Sequence, residues 1–170
     1  SELVITITGT NDDPVAAAAS VSAVEDGAAI SGTVSASDVD AGALLSFALD
    51  GPAPAGLVFG ADGSYSFDPS HPAYQSLAQG ASLVLTVPYT VTDEHGASSG
   101  ASLVITIEGT NDVPVASAAS LAVLEDAPAV SGQVTATDAD DGAVLSFALS
   151  GPAPAGLVFD SDGSYTFDPS

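Results

Sequence analysis

Apolar and polar residues alternate along this chain with a period of two. Leu83, Leu85, Val87, Tyr89 and Val91 fall on one face of an extended segment, with Val84, Thr86, Pro88, Thr90 and Thr92 on the other. Leu3, Ile5 and Ile7 alternate with Val4, Thr6 and Thr8 in the same way. This is the pattern of half-buried antiparallel strands. It predicts seven strands in one stretch of the chain, near 16–24, 29–36, 43–49, 56–60, 64–68, 82–92 and 101–108. Ala61-Asp62-Gly63 reads as the hairpin turn between the fourth and fifth strands. Pro88 cannot donate to a ladder and is expected at a sheet edge or bulge. Ser70 to Gly80 is the one helical candidate, a single turn with Ser70 as N-cap, Pro72 inside the start and Gly80 past the end.

The pattern returns at an offset of 100 residues. Leu3-Val4-Ile5-Thr6-Ile7 recurs as Leu103-Val104-Ile105-Thr106-Ile107, and Gly51 to Phe59 recurs unchanged as Gly151 to Phe159. Between 1–70 and 101–170 there are 22 differences in 70 positions, leaving 70 − 22 = 48 matches without an insertion. Gly9-Thr10-Asn11-Asp12 and Gly109-Thr110-Asn111-Asp112 mark the boundaries, each after a predicted strand and before Pro14 or Pro114. Residues 1–10 read as the last strand of a preceding repeat. Residues 11–110 read as a complete repeat, and 111–170 as the first five strands of the next. The chain therefore reads as a piece of a longer array. The fragment's missing last strand is chemically equivalent to residues 1–10, which opens a route to strand exchange between copies, left incomplete by the missing sixth strand. Seven short strands in about 100 residues, with regularly spaced turns, indicate an all-β fold: tandem immunoglobulin-like or cadherin-like Greek-key β-sandwiches.

Charge changes this picture from a generic sandwich to a specific one. The chain has 22 acidic residues, no Lys and no Arg, for a net charge of −22. No carboxylate can pair with a Lys or Arg of its own chain. Clustered acids then need a metal ion, hydrogen-bond donors or open water. The sign opposes nucleic acid and anionic membrane as partners. Disorder is opposed by 46% apolar content. The absence of Cys excludes disulfide staples and thiolate metal sites. Apolar runs are too short for a membrane-spanning helix.

Asn11, Asp12, Glu25, Asp26, Asp38, Asp40, Asp62 and Asp68 all return as the same residue 100 positions on, while their neighbours drift. In a seven-stranded Greek key, Asn11, Asp12, Asp38, Asp40 and Asp93 fall at one pole, with Glu94 beside them. Glu25, Asp26 and Asp68 fall at the other. In tandem, Glu25, Asp26 and Asp68 are expected to meet Asn111, Asp112, Asp138 and Asp140. Many hard oxygen ligands on loops, without thiolates and with hardly any imidazole, point to Ca²⁺, which takes 6–8 oxygens in irregular geometry. Asp62-Gly63 and Asp50 read instead as turn residues. The Asp38-x-Asp40 and Glu25-Asp26 pairs hold more carboxylate than a turn needs.

Catalytic patterns do not appear. Asp38-x-Asp40-x-Gly42 opens like a calcium loop, but Leu49 stands where a closing Glu is needed. His71 and His95 are isolated in loops and read as solvated. Paired carboxylates for glycoside hydrolysis need a cleft with aromatic platforms, whereas this chain has no Trp and four Tyr, of which Tyr65 and Tyr165 read as core. The expectation is a protein that is not an enzyme.

Leu103 to Val115, through Glu108-Gly109-Thr110-Asn111-Asp112-Val113-Pro114, resembles the junction of VCBS-type repeats. Val24-Glu25-Asp26, Asp38-Val-Asp40-Ala-Gly42, Asp62 to Phe67 and Val91 to Gly96 fit the same pattern in order, so the resemblance covers the whole chain. Such repeats occur in very large secreted bacterial adhesins of the RTX type and are similar to cadherin-like sandwiches. The resemblance implies an extracellular, cell-surface role in extension, adhesion and biofilm cohesion. The likeness to cadherins implies Ca²⁺ at junctions, here matching Glu25, Asp68, Asn111, Asp112, Asp138 and Asp140. The glycine-rich nonapeptide of RTX calcium rolls is absent. The leading expectation is a calcium-stiffened extender whose partners are neighbouring repeats, with homo-assembly into fibres. The alternatives are a glycan- or protein-binding adhesin module and a filament subunit built by strand exchange.

Overall fold

The computed structural model describes all residues, Ser1–Ser170, as two compact units, Ser1–Thr110 and Asn111–Ser170. The first unit contains the expected seven-stranded sandwich, with its first two strands each broken once. These are β1 (Val15–Ala16) with β2 (Ala19–Val24), and β3 (Ile30–Thr33) with β4 (Ala36–Ser37). Then follow β5 (Ser46–Leu49), β6 (Leu57–Phe59), β7 (Ser64–Phe67), β8 (Ser82–Thr92) and β9 (Ser98–Glu108). One sheet has the order β2-β9-β8-β5, the other β3-β7-β6, and β1 pairs with β4. The first break lets the opening strand serve two partners. β1 lies antiparallel to β4, whereas β2 lies parallel to β9, with Val21 opposite Ile105.

Alternation places the core where the sequence puts it. Val87, Tyr89 and Val91 of β8 and Leu103, Ile105 and Ile107 of β9 are buried. From the facing sheet they meet Leu57 and Phe67, together with Val34 from the break between β3 and β4. Tyr89 is fully buried and donates its hydroxyl to the Ala17 carbonyl in the gap between β1 and β2. That bond ties the break in the first strand to β8, in the middle of the four-stranded sheet. Burial raises the pKa of this phenol above its ordinary value. The sequence pointed to Tyr65 and Tyr165 as core, but both are half-buried, and Tyr89 and Tyr74 are the buried tyrosines. Tyr65 lies instead over Gly32, where a Cβ would stand 2.6 Å from its hydroxyl.

The β6–β7 hairpin forms at the expected turn. Gly60 N–H donates to the Ser64 carbonyl at 2.7 Å, and Gly63 takes φ 81°, a left-handed conformation that glycine adopts without steric cost. Pro88 is not on an edge strand. It sits in central β8, opposite Ser102 of β9, one residue past the last β5 pair, Leu49 with Tyr89. Its carbonyl still accepts the Asp50 amide at 3.1 Å, so its missing N–H falls where the β5 ladder ends. The helical turn expected over Ser70–Gly80 does not form. His71, Tyr74 and Leu77 each donate to the carbonyl three residues before, giving a chain of turns. Tyr74 anchors it, buried against Phe67 with its hydroxyl on the Ala55 carbonyl at 2.7 Å. Packing of that ring fixes the segment more than helix propensity does.

The second unit contains β10 (Val115–Ala116), β11 (Val130–Gln133), β12 (Ala136–Thr137), β13 (Leu157–Phe159) and β14 (Ser164–Phe167). β10 pairs with β12, and the sheet β11-β14-β13 repeats β3-β7-β6. Residues 119–124 and 146–149, expected as strands, form none. Ser146 to Leu149 is identical to Ser46 to Leu49, which is β5. The difference is the partner: β5 pairs with β8, and residues 111–170 hold no counterpart of β8 or β9. Residues 1–10, likewise expected as a strand, pair with nothing, and Leu3, Ile5 and Ile7 are exposed.

Phe67 is wholly buried, whereas its counterpart Phe167 is half-buried. Phe67→Ala should therefore destabilise the first unit by about 3–5 kcal/mol. Phe167→Ala should cost the second unit clearly less. Urea unfolding of both variants, followed by tyrosine fluorescence, checks this; equal losses would mean that both cores are equally closed.

Candidate functional site

The end of the first unit where the chain enters is built from three loops. Asn11–Asp13 precede β1, residues 38–44 link β4 to β5, and residues 93–97 link β8 to β9. Hydrogen bonds join these loops into one net. The Asp12 amide donates to Asp40 Oδ2 at 2.8 Å, and the Asp40 amide donates to Asp38 Oδ1 at 2.8 Å. Asn11 Nδ2 donates to Asp93 Oδ2 at 2.7 Å. Asp93 Oδ1 accepts the His95 and Ala97 amides, both at 2.9 Å, closing the β8–β9 turn. Glu94 Oε2 accepts the Leu44 amide at 2.8 Å. The structure thus brings Asn11, Asp12, Asp38, Asp40, Asp93 and Glu94 together, as the Greek-key reading expects.

Asp93 is buried, and the Asn11 amide, followed by the turn amides of Ala97, His95 and Gly96, holds its carboxyl below the ordinary aspartate value against the opposing effect of burial. The Leu44 amide does the same for Glu94. One acceptor has no such support. Asp38 Oδ2 is buried without a hydrogen-bond partner. The second unit repeats part of the net: Asn111 Nδ2 on the Asp112 carbonyl at 2.6 Å, the Asp112 amide on Asp140 Oδ2 at 3.0 Å, and the Asp140 amide on Asp138 Oδ1 at 3.0 Å. There Asp140 Oδ1 is the buried oxygen without a donor. Both Asp-x-Asp pairs therefore hold an unsatisfied buried carboxylate oxygen. Such groups are rare in folded proteins because each costs desolvation without return. No three His, Asp or Glu side chains form a ready-made metal cluster.

The opposite end works differently. Glu25, directly after β2, is buried at 1% exposure. Its Oε2 accepts the Thr110 amide at 3.1 Å, and its Oε1 the Leu77 amide at 3.4 Å. It clamps the exit of β9 to the 70–80 connection. Gly109 lies in that clamp, where a Cβ would stand 2.3 Å from the Leu77 carbonyl oxygen. Asp26 is exposed and takes φ 59°, as does Asp126. Aspartate is among the residues that tolerate this left-handed region. Asp68 Oδ1 accepts the Ser70 hydroxyl at 2.7 Å and its amide at 3.0 Å. Asp62 and Ser64 repeat that motif at 2.5 and 3.0 Å, which gives Asp62 the turn role read from the sequence. The serine hydroxyls lower the pKa values of Asp62 and Asp68. The Asp-x-Ser spacing was visible in the sequence but not read. His95 is exposed beside Glu94, whereas His71 is half-buried against Tyr74 rather than solvated.

Residues 11–109 match the family profile of the bacterial cadherin-like domain, and residues 111–170 that of the bacterial Ig domain. No curated protein matches the chain. Among solved structures, the chain is similar to human protocadherin-24 repeats EC1–2 at 20% identity and TM-score 0.59, covering 94% of this chain and 79% of that one. Mouse cadherin-23 repeats EC22–24 give 23% identity and TM-score 0.54 over 91% of this chain and 53% of that one. Protocadherin gamma B7 repeats 1–4 give 21% and 0.55 over 93% and 41%. The chain thus spans about half or less of the length of these last two structures. At these identities the likeness is one of fold, and the fold is the cadherin-like β-sandwich.

Two predictions follow from the two ends. Asp93 has a folded pKa below its unfolded value, so it stabilises the fold above pH of about 4 and loses that contribution as pH falls through the folded value. In EDTA, the melting temperature should hold from pH 7 to 5 and drop below about 4. Asp93→Asn should lower it at pH 7 and flatten part of the acid limb; a variant with an unchanged acid limb would refute the assignment. At the other end, Glu25→Ala orphans the Thr110 amide at about 1–3 kcal/mol, because the Leu77 amide keeps the Tyr74 carbonyl, whereas Glu25→Gln keeps one acceptor and should lose less. Urea midpoints of the two variants decide it.

Proposed function

Since the chain belongs to the bacterial cadherin-like domain family, we propose that it is a calcium-stiffened extender from a bacterial extracellular adhesin or surface fibre. Its role on this reading is mechanical rather than catalytic. It holds a distal adhesive part away from the cell and supports adhesion or biofilm cohesion, with neighbouring repeats as its partners. The VCBS-type junction sequence is what ties it to large RTX-type adhesins.

The observation that carries the reading is the pair of buried, partnerless oxygens, Asp38 Oδ2 and Asp140 Oδ1. In a chain without Lys or Arg, a hard divalent cation answers such oxygens. The donor set fits that ion: only carboxylate, amide and main-chain oxygens are available, on loops that tolerate irregular coordination. Asp38, Asp40, Asp12, Asn11 and Asp93 would hold it in the first unit; Asp138, Asp140, Asp112 and Asn111 in the second. When bound, Ca²⁺ supplies charge neutralisation at the most acidic loops. Asn11–Asp12 and Asn111–Asp112 lie in the segments that lead into each sandwich, so ligation there stiffens the linkers. Glu25, Asp26 and Asp68 belong to the proposed ligand set as well. Magnesium is the poorer candidate because it demands near-octahedral order and keeps its waters.

Thermal melting of the chain in EDTA, Ca²⁺ and Mg²⁺ tests the proposal. At a free concentration ten times Kd, each Ca²⁺ site adds about 1.4 kcal/mol. A Ca²⁺-selective rise of several degrees is expected. Asp38→Asn with Asp40→Asn should remove it from the first unit, and Asp138→Asn with Asp140→Asn from the second. An equal response to both ions, or none, would overturn the reading and leave these acids as solvated turn residues.

A further inference from the structure

The carboxyl of an aspartate can be attacked by the amide nitrogen of the next residue, and glycine, without a Cβ, crowds that nitrogen least. The chain has five such Asp-Gly steps, at Asp26, Asp50, Asp62, Asp141 and Asp162. The fold holds four of them. The Gly27 amide donates to the Val24 carbonyl at 2.9 Å. Asp50 Oδ1 accepts the Thr90 hydroxyl at 2.6 Å. Asp62 Oδ1 is held by the amide and hydroxyl of Ser64, while the Gly63 amide donates to the Gly60 carbonyl at 3.0 Å. Asp162 and Gly163 repeat that arrangement with Ser164 and the Asp160 carbonyl. Asp141-Gly142 differs from all of these. Neither the Asp141 carboxylate nor the Gly142 amide takes part in a hydrogen bond, and both residues are exposed. Gly142 takes φ 78°, and a Cβ there would meet nothing within 4 Å.

The first unit shows that this openness belongs to the turn itself. Ala41 and Gly42 stand at the same place, both exposed, with Gly42 at φ 88° and again nothing within 4 Å of an added Cβ. One bond closes each turn, from the Ala43 amide to the Asp40 carbonyl and from the Ala143 amide to the Asp140 carbonyl, both at 3.3 Å. The turn thus stays open where β8, β9 and the 93–97 loop are all in place. Within it only one residue differs between the units, Ala41 against Asp141.

From this contrast we propose that Asp141-Gly142 is a site of spontaneous main-chain isomerisation. The Gly142 nitrogen attacks Cγ of the protonated Asp141 side chain and forms an N–Cγ bond. The amide proton and the carboxyl hydroxyl leave as water, which closes a cyclic imide. Water then opens the ring. Addition at Cγ restores aspartate. Addition at the main-chain carbonyl breaks its bond to nitrogen and leaves isoaspartate, with the chain running through Cβ and Cγ and a free α-carboxylate beside it. One water leaves and one returns, so the product is an isomer and no other reactant is needed. The added main-chain carbon breaks the turn bond from Ala143 to Asp140. Asp140 also carries the relay to Asp112 and Asp138, so the change loosens the acidic loop of the second unit and spares that of the first. The proposal does not depend on calcium and is tested in EDTA.

The folded chain is incubated in EDTA in mildly acidic buffer below its melting temperature, then digested. Electron-based fragmentation of the peptides locates isoaspartate, and methyl transfer by isoaspartyl methyltransferase counts it independently. Each hydrogen bond that must open first slows ring closure about two- to tenfold. Isoaspartate at 141 should therefore exceed that at 62 and 162 by about tenfold or more, and that at 26 and 50 by about twofold or more. In unfolding urea the preference for 141 should vanish. Ala41→Asp should create a second site of similar rate in the first unit, and Asp141→Ala should remove the original one. Both substitutions lie in an exposed turn outside the core, so urea midpoints should shift little. Isoaspartate spread evenly over the folded chain, a preference for 141 that persists in urea, or an unreactive Ala41→Asp variant would each overturn the proposal.

Discussion

β8 and β9 pair along the full length of β8, 11 residues, and both remaining strands of their sheet hang on this ladder. β2 pairs only with β9 and β5 only with β8 in that sheet. Their burial follows: the inner face of the ladder supplies Val87, Tyr89, Val91, Leu103, Ile105 and Ile107 to the core. The chain contains its own control. Ser46-Phe47-Ala48-Leu49 is a strand beside β8, and the identical Ser146-Phe147-Ala148-Leu149, with no such neighbour, is not. Leu3 to Ile7 and Leu103 to Ile107 make the same comparison for β9. Identical propensities give opposite outcomes, so strand formation here is decided by available partners.

A second constraint governs the ends of the sandwich. With 22 acids and no Lys or Arg, every buried carboxylate must be answered by main-chain amides, hydroxyls or an ion. Glu25 is answered by two amides, Asp93 by two amides and the Asn11 side chain, and Asp68 by Ser70. These bonds also do structural work, closing the β8–β9 turn and fixing the exit at Thr110. Asp38 and Asp140 are where main-chain donors run out. The same acids that make the loops rigid thus leave one oxygen in each Asp-x-Asp pair facing no donor.

What was legible in the sequence follows the same division. Period-two alternation is a local property, so the seven strands, their inward faces and the Asp62-Gly63 turn could be read directly. Greek-key order then placed Asn11, Asp12, Asp38, Asp40 and Asp93 at one end, where hydrogen bonds join them. What could not be read depends on partners remote in sequence. Glu25 could be read as acidic and repeated, but not its bonds to the Leu77 and Thr110 amides, 52 and 85 residues away. Tyr89 looked like one more alternating residue, but its hydroxyl reaches Ala17, 72 residues off. The 70–80 segment carried helix punctuation, and the ring of Tyr74 overrode it.

Repeated acids are thus a composite signal. Glu25 and Glu125 occupy the same place in the repeat, yet one is buried on two amides and the other is exposed. Identity across the repeat preserves the capacity for a role, while the surrounding strands decide whether it is exercised. For Asp38-x-Asp40 and Asp138-x-Asp140 the surroundings agree: both pairs form the same amide relay, and both leave a buried oxygen over. That relay survives in a unit without β8 and β9, so it is made locally by the loop before the third strand position. A feature that persists when half the sandwich is missing is independent of core completion, and this separates the Asp-x-Asp pairs from Glu25.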